Sequence, residues 1–197
     1  LLGTWMQRVA ISWLVYELTD SIFWLGFVQF ISLLPSLVLS PFIGSFVDKH
    51  KKYKLVFLTQ IGLMIQAAAL TLVVFMDWQT VLLLSILGFI QGVINAFDVL
   101  GRQSLMVMLV DSRKDLPNAI ALNSSIFNAA RMVGPAVGGI LLSLYGEMLC
   151  FAINFISFIP VIVCLMLMKV HEDEIKAVKE SNWQGLVEGF YYLKRSP

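Results

Sequence analysis

Four stretches of this chain run for 20 residues or more without an Asp, Glu, Lys or Arg: Ser21 to Val47, Leu55 to Met76, Trp78 to Phe97 and Met148 to Met168. A helix rises about 1.5 Å per residue, so about 20 apolar residues cross the roughly 30 Å hydrocarbon layer of a bilayer. A soluble domain has one core under a polar shell and cannot bury four such segments in so short a chain. The composition agrees, with 58% of residues hydrophobic and only 14% charged, about half the charged share of a soluble protein. The class is an all-α integral membrane protein.

Two further runs carry isolated charges: Leu1 to Leu18, with Arg8 and Glu17, and Pro117 to Leu144, with Arg131. Pro117 suits a first helical position, where its missing N–H is not needed. Asp98 to Val110 prolongs the fourth run, because Leu105 to Val110 stays apolar up to the polar stop at Asp111 to Asp115. The expected organisation is therefore a six-helix transmembrane bundle over residues 1–169, with helices near 1–18, 21–47, 55–76, 78–110, 117–144 and 148–168. From His171 onward the composition turns polar, and Trp183, Leu186, Val187, Phe190 and Tyr191 recur at helical spacing. Residues 170–197 thus read as a cytoplasmic amphipathic linker helix. The apolar start at Leu1 and the uncapped end at Pro197 read as a piece of a longer chain.

Basic residues flanking short loops stay in the cytoplasm. Lys49, Lys51, Lys52 and Lys54, then Arg113 and Lys114, then Lys169 fall at one set of span ends; the opposite turns, around Asp20, Asp77 and Glu147, hold none. Both ends of the chain are therefore expected in the cytoplasm, with the bundle in a plasma membrane. A net charge of +1 and scattered basic residues argue against nucleic acid as a partner. Cys150 and Cys164 lie within one apolar run without metal-ligand spacing and read as small buried hydrophobes. His50 and His171 fall in cytoplasmic segments, so no His-based metal or nucleophile site, no cofactor and no enzymatic chemistry is expected at membrane depth.

Ionisable groups inside a bilayer are costly unless paired or facing water, so they are functional candidates by default. In the fourth helix Gln91, Asn95, Asp98 and Arg102 follow one another at spacings of 4, 3 and 4, which keeps them on one face. Asp98 and Arg102 stand at i, i+4 with the acid first, the favourable order for a helical ion pair. Arg131 shares a face of the fifth helix with Asn128 and Ser124, and Arg8 shares one of the first with Thr4 and Ser12, near enough to the helix end to snorkel. Asp98, Arg102 and Arg131 admit three readings: a substrate and proton pathway, a conformational gate, or a permanent charge network that orients helices. The segment Gly134-Pro135-Ala136-Val137-Gly138-Gly139 places small residues four apart and breaks the backbone ladder at Pro135, which suits close helix packing and a kink.

Gly44, Asp48, Lys49 and Lys52, in the loop after the second helix, resemble the Gly-x-x-x-Asp-basic signature of the major facilitator superfamily. Lys51 and Tyr53 depart from it, where that pattern has Gly and a second basic residue. Gly134, Pro135, Gly138 and Gly139 resemble the fifth-helix motif of drug:proton antiporters. Gly3 to Gln7, Trp13 to Thr19, Ala96 to Asp98 with Arg102-Gln103, Asn118 to Ser124 and Phe127 to Arg131 resemble the enterobactin exporters and macrolide efflux proteins of the transmembrane secretion effector family.

The resemblance runs from Leu1 to Pro197. It implies the N-terminal six-helix bundle of a twelve-helix fold in the bacterial inner membrane, with the C-terminal half of the same protein as partner. It further implies alternating access around a site between the halves, with a small-molecule substrate and protons as ligands. Asp48 and its loop would then lock one state as a cytoplasmic gate, and Gly134 to Gly139 would form the fifth-helix hinge. The leading expectation is a secondary exporter of an amphipathic molecule such as a siderophore or macrolide-like drug; the alternative is a non-transporting scaffold or sensor on the same fold.

Overall fold

A computed structural model describes residues 1–110, 112 and 114–168. It comprises six helices: α1 (Leu2–Thr19), α2 (Ile22–Lys49), α3 (Lys52–Phe75), α4 (Val81–Leu109), α5 (Leu116–Tyr145) and α6 (Glu147–Leu167). The linker expected over 170–197, with Lys169 and Arg113, lies outside the described residues. Helices α2 to α6 are each long and apolar enough to cross a membrane. The chain is a multi-pass membrane protein. Its α4 has 29 residues and is about 43 Å long, which exceeds the hydrocarbon layer and requires tilt or protrusion.

Helix α1 falls short of that apolarity, and its packing gives the reason. It contacts α2, α4, α5 and α6, and buries Met6, Gln7, Ala10, Ile11, Leu14 and Val15. A helix enclosed by protein can carry polar groups that lipid would reject. Around it α2 packs on α4, α3 on α4 and α6, and α5 on α1.

The turns correct one sequence expectation. The segment Gly44 to Lys54 is not a loop: α2 runs through Lys49 and α3 begins at Lys52, so Gly44, Asp48 and Lys49 ride on the last turns of α2 and only His50 and Lys51 connect. Helical bonding continues through the charged residues because nothing there breaks it. The Lys52 ammonium donates to the Asp48 carbonyl at 3.4 Å across the junction. At the other end of α3 the chain turns through Asp77 at φ 55°, and α4 starts at Val81, three residues later than its apolar run, because the Thr80 hydroxyl caps it by accepting from Leu83 N–H.

Glycines on α4 and α5 mark close helix approaches, as Gly3 of α1 does against Asn154 of α6. A side chain on Gly88 or Gly92 of α4 would collide with Ser32 of α2, and at Gly92 the obstacle is the Ser32 backbone carbonyl. On α5, a β-carbon on Gly134 would lie 2.6 Å from Trp5 Cβ, and one on Gly138 would lie 3.0 Å from Met6 Cα. Gly139 and Gly44 face open space. In α2 the carbonyl of Leu37, deprived of its partner by Pro41, accepts instead from the Ser40 hydroxyl at 3.4 Å.

Packing is uneven along the bundle. At the end bearing the turns at Asp20, Asp77 and Gly146, one continuous cluster of buried residues joins Leu14, Val15, Val28, Leu70, Leu84 and Phe151. Toward the Lys49–Lys54 end the core divides into three small clusters, around Val47, Val56 and Leu63. The spaces between these clusters hold the candidate site.

Candidate functional site

Asp98 sits in the middle of a buried junction between α3 and α4. Its Oδ1 accepts from Thr59 Oγ1 at 2.8 Å and from Gln60 Nε2 at 2.6 Å; its Oδ2 accepts from Arg102 Nε at 2.8 Å. Asp98 is 5% exposed, whereas the Arg102 side chain is 39% exposed and reaches out of the packed region. Three donors, one of them charged, thus compensate a carboxylate removed from water. Gln60 is fully buried, yet its Oε1 has no hydrogen-bond partner among the described residues. Thr59 Oγ1 also lies 2.8 Å from the Val56 carbonyl, so its single proton is shared between two acceptors.

The polar stripe of α4 borders three cavities in succession. Gln91 and Asn95 line the smallest, about 20 Å³, together with Arg8, Gln29 and Ser36. Asn95, Asp98 and Arg102 line the second, about 130 Å³, with Trp5, Arg8 and Gln60. Arg102 and Gln60 also border the third, about 300 Å³, which extends to Leu109, Asn123 and Met168 at the Lys49–Lys54 end. The second is room for about four waters. Gln60 and Arg102 form the wall between the two larger spaces.

Arg131 is not brought to Asp98. It lies exposed on α5 with Asn128, its guanidinium 5.8 Å from the centre of the Trp5 ring. Arg8 occupies the other approach to the same indole, at 4.6 Å, instead of snorkelling to the bundle end. Phe127 meets Trp5 edge-on at 6.0 Å. In the α2–α3 motif Asp48 and Lys49 are exposed and the His50 ring stacks on Phe46 at 4.0 Å, with Nδ1 donating to the Phe46 carbonyl at 2.8 Å. Of the fifth-helix motif, Gly134 and Gly138 form the α1 seam, Pro135 is half-buried beside them, and Gly139 is not in contact. Cys150 is buried, as read from sequence, but Cys164 is exposed.

A second buried network escaped the sequence reading. Gln7 Nε2 donates to Gln66 Oε1 at 3.0 Å, Asn154 Nδ2 donates to Gln7 Oε1 at 2.6 Å, and Gln66 Nε2 reaches the Leu87 carbonyl at 3.3 Å. It ties α1, α3, α4 and α6 together. Thr59, Gln60 and these amides were missed because none has a polar partner at i+4 to mark a polar face of its own helix. The available signal was their depth itself, since an unpartnered amide inside a span must find its partner on another helix.

The model of one family, described as transmembrane secretion effector, matches residues 1–197. The chain belongs to the transmembrane secretion effector family of the major facilitator superfamily. Proteins similar to it are a staphyloferrin A transporter of Staphylococcus aureus, 29% identical over 87% of this chain and 45% of the relative, and an MFS-type transporter of Bacillus subtilis, 25% identical over 100% and 47%. Macrolide efflux protein A of Streptococcus pyogenes is 22% identical over 96% of this chain and 47% of its own length. This transmembrane secretion effector chain thus spans about half the length of the relatives it matches. The family is one of transporters, not enzymes, and the all-helical bundle agrees with the N-terminal half of its fold.

Proposed function

We propose that this chain forms the N-terminal half of a secondary exporter of a small amphipathic molecule, siderophore or macrolide-like, working by alternating access with proton antiport. The observation that carries the reading is Asp98: a buried carboxylate at a cavity wall whose charged partner, Arg102, is half exposed and belongs to both larger cavities. When Arg102 turns into the larger cavity, Asp98 keeps only the neutral donors Thr59 and Gln60. On this reading Asp98 is the site that holds the transported proton while Arg102 is turned away. Return of Arg102 restores the ion pair and releases the proton.

The sealed core at one end and the divided core at the other support an inward-facing arrangement, with the Lys49–Lys54 end cytoplasmic by the basic-residue bias. The exposed polar face of α5, with Asn123, Ser124, Asn128 and Arg131, supports cover by a C-terminal half, because lipid would not tolerate it. On that arrangement Gly44, Asp48, Lys49 and Lys52 form the gate toward the other half, and residues 170–197 supply the linker. The test is flux in vesicles containing the full-length protein, with a labelled macrolide and a labelled siderophore under an imposed pH gradient. Gradient-dependent transport of either is expected. Binding without gradient-dependent flux would replace this reading with a scaffold or sensor.

A further inference from the structure

Among the described residues Trp5 is approached by two cations and by no anion. The Arg8 guanidinium lies 4.6 Å from the centre of its ring and the Arg131 guanidinium 5.8 Å. Among the described residues no carboxylate comes within 4.0 Å of either, and Asp98, the acid on the same cavity, is already engaged by Arg102, Thr59 and Gln60. Cation–π attraction offsets only part of the cost of two like charges at membrane depth. The indole itself is fixed: its Cβ seats against Gly134, where no side chain fits, and Phe127 braces its edge. Two unneutralised guanidiniums on a rigid aromatic platform select a planar anion, since guanidinium matches carboxylate geometry and the ring offers a stacking face.

A second observation on the same cavity points to a ligand. Gln60, whose buried Oε1 has no partner among the described residues, borders the space that Trp5 and Arg8 also line. An acceptor in that position calls for a donor that the protein does not supply. We infer that the substrate is an organic carboxylate with a flat or apolar body and a hydroxyl or N–H donor, its acid group read by Arg8 and Arg131 and its donor by Gln60. This rests on the exporter reading and narrows it, disfavouring cationic substrates.

Three probes with one phenol ring and different charge test it: para-hydroxybenzoate, para-hydroxybenzamide and tyramine, binding to the purified full-length protein in lipid nanodiscs by equilibrium dialysis. The carboxylate should bind at least about tenfold more tightly than the neutral amide, and the amine most weakly. Arg8→Gln and Arg131→Gln should each reduce that preference about tenfold, and Gln60→Leu should reduce binding of the carboxylate and the amide alike. Equal binding of the three probes, or preference for tyramine, would overturn the inference, as would a preference unchanged in both arginine variants. Should a variant fail to fold, the ranking on the unaltered protein decides alone. Gradient-driven flux is scored separately: carboxylate preference without flux defeats the exporter reading and keeps the anion site, while flux without that preference defeats only the site.

Discussion

Replacing Gln7 by Met removes two hydrogen-bond partners at once. Asn154 Nδ2 loses its acceptor and Gln66 Oε1 loses its donor, and both residues are buried. A buried group left unsatisfied costs about 1–3 kcal/mol, while interhelical hydrogen bonds in membranes average about 0.6 kcal/mol because the disordered state finds other partners. Two stranded groups therefore predict about 1–4 kcal/mol for Gln7→Met. Gln66→Met strands only Gln7 Nε2; its other contact, the Leu87 carbonyl, lies within the bonding range of α4 itself. The double variant leaves a single stranded group, the Asn154 amide. Adding Gln66→Met to Gln7→Met should then restore stability, by about 1–2 kcal/mol, although each substitution alone destabilises. Unfolding of the full-length protein in mixed micelles, followed by circular dichroism, measures this cycle. If the second substitution deepened the loss instead, the amides would not form a mutually satisfying network.

Further expectations follow from the same packing. Gly92→Ala, which drives a methyl into the Ser32 carbonyl, and Gly138→Ala, which presses on the Met6 backbone, should each cost about 1–3 kcal/mol in thermal unfolding; Gly139→Ala, facing open space, should be neutral or stabilise by up to about 1 kcal/mol. Asp98→Leu strands the buried Gln60 amide, while the half-exposed Arg102 can turn to the larger cavity, and should cost about 1–3 kcal/mol; Asp98→Asn keeps an acceptor for Thr59 and Gln60 and should cost less, about 0.5–1.5 kcal/mol, read in the same unfolding assay. Tyr53→Phe removes the 2.8 Å bond to the Leu165 carbonyl and should weaken the end of α6 by about 1 kcal/mol, seen as faster amide exchange over Ser157 to Leu167.

What the sequence revealed and what it hid divide along one physical line. Charge-free runs and the 4, 3, 4 spacing of Gln91, Asn95, Asp98 and Arg102 are local patterns, so the helices and the α4 stripe were readable from order alone. The partners of that stripe were not, because Thr59 and Gln60 come from another helix and carry no period. The α4 glycines at 88 and 92 went unnoticed although their spacing equals that of Gly134 and Gly138; only the approach of Ser32 distinguishes them from tolerated glycines such as Gly139. Helix α1 reads as a marginal span because Gln7 and Arg8 lower its apolarity, and only its enclosure by four neighbours explains why it is tolerated. The segment Gly44 to Lys52 reads as a loop from sequence but is mostly helical, since Lys-rich sequence marks a membrane boundary and does not end a helix.

The central claim is that Asp98 couples movement of the substrate to movement of a proton, and one comparison tests it directly. Full-length protein and its Asp98→Asn variant, reconstituted in vesicles, are assayed for exchange of labelled substrate at equilibrium and for accumulation driven by a pH gradient. Asp98→Asn preserves the neutral hydrogen bonds to Thr59 and Gln60 while removing the titratable group. The account predicts that exchange persists and gradient-driven accumulation is lost. Accumulation at the unaltered rate in Asp98→Asn would contradict it and place the proton on another residue.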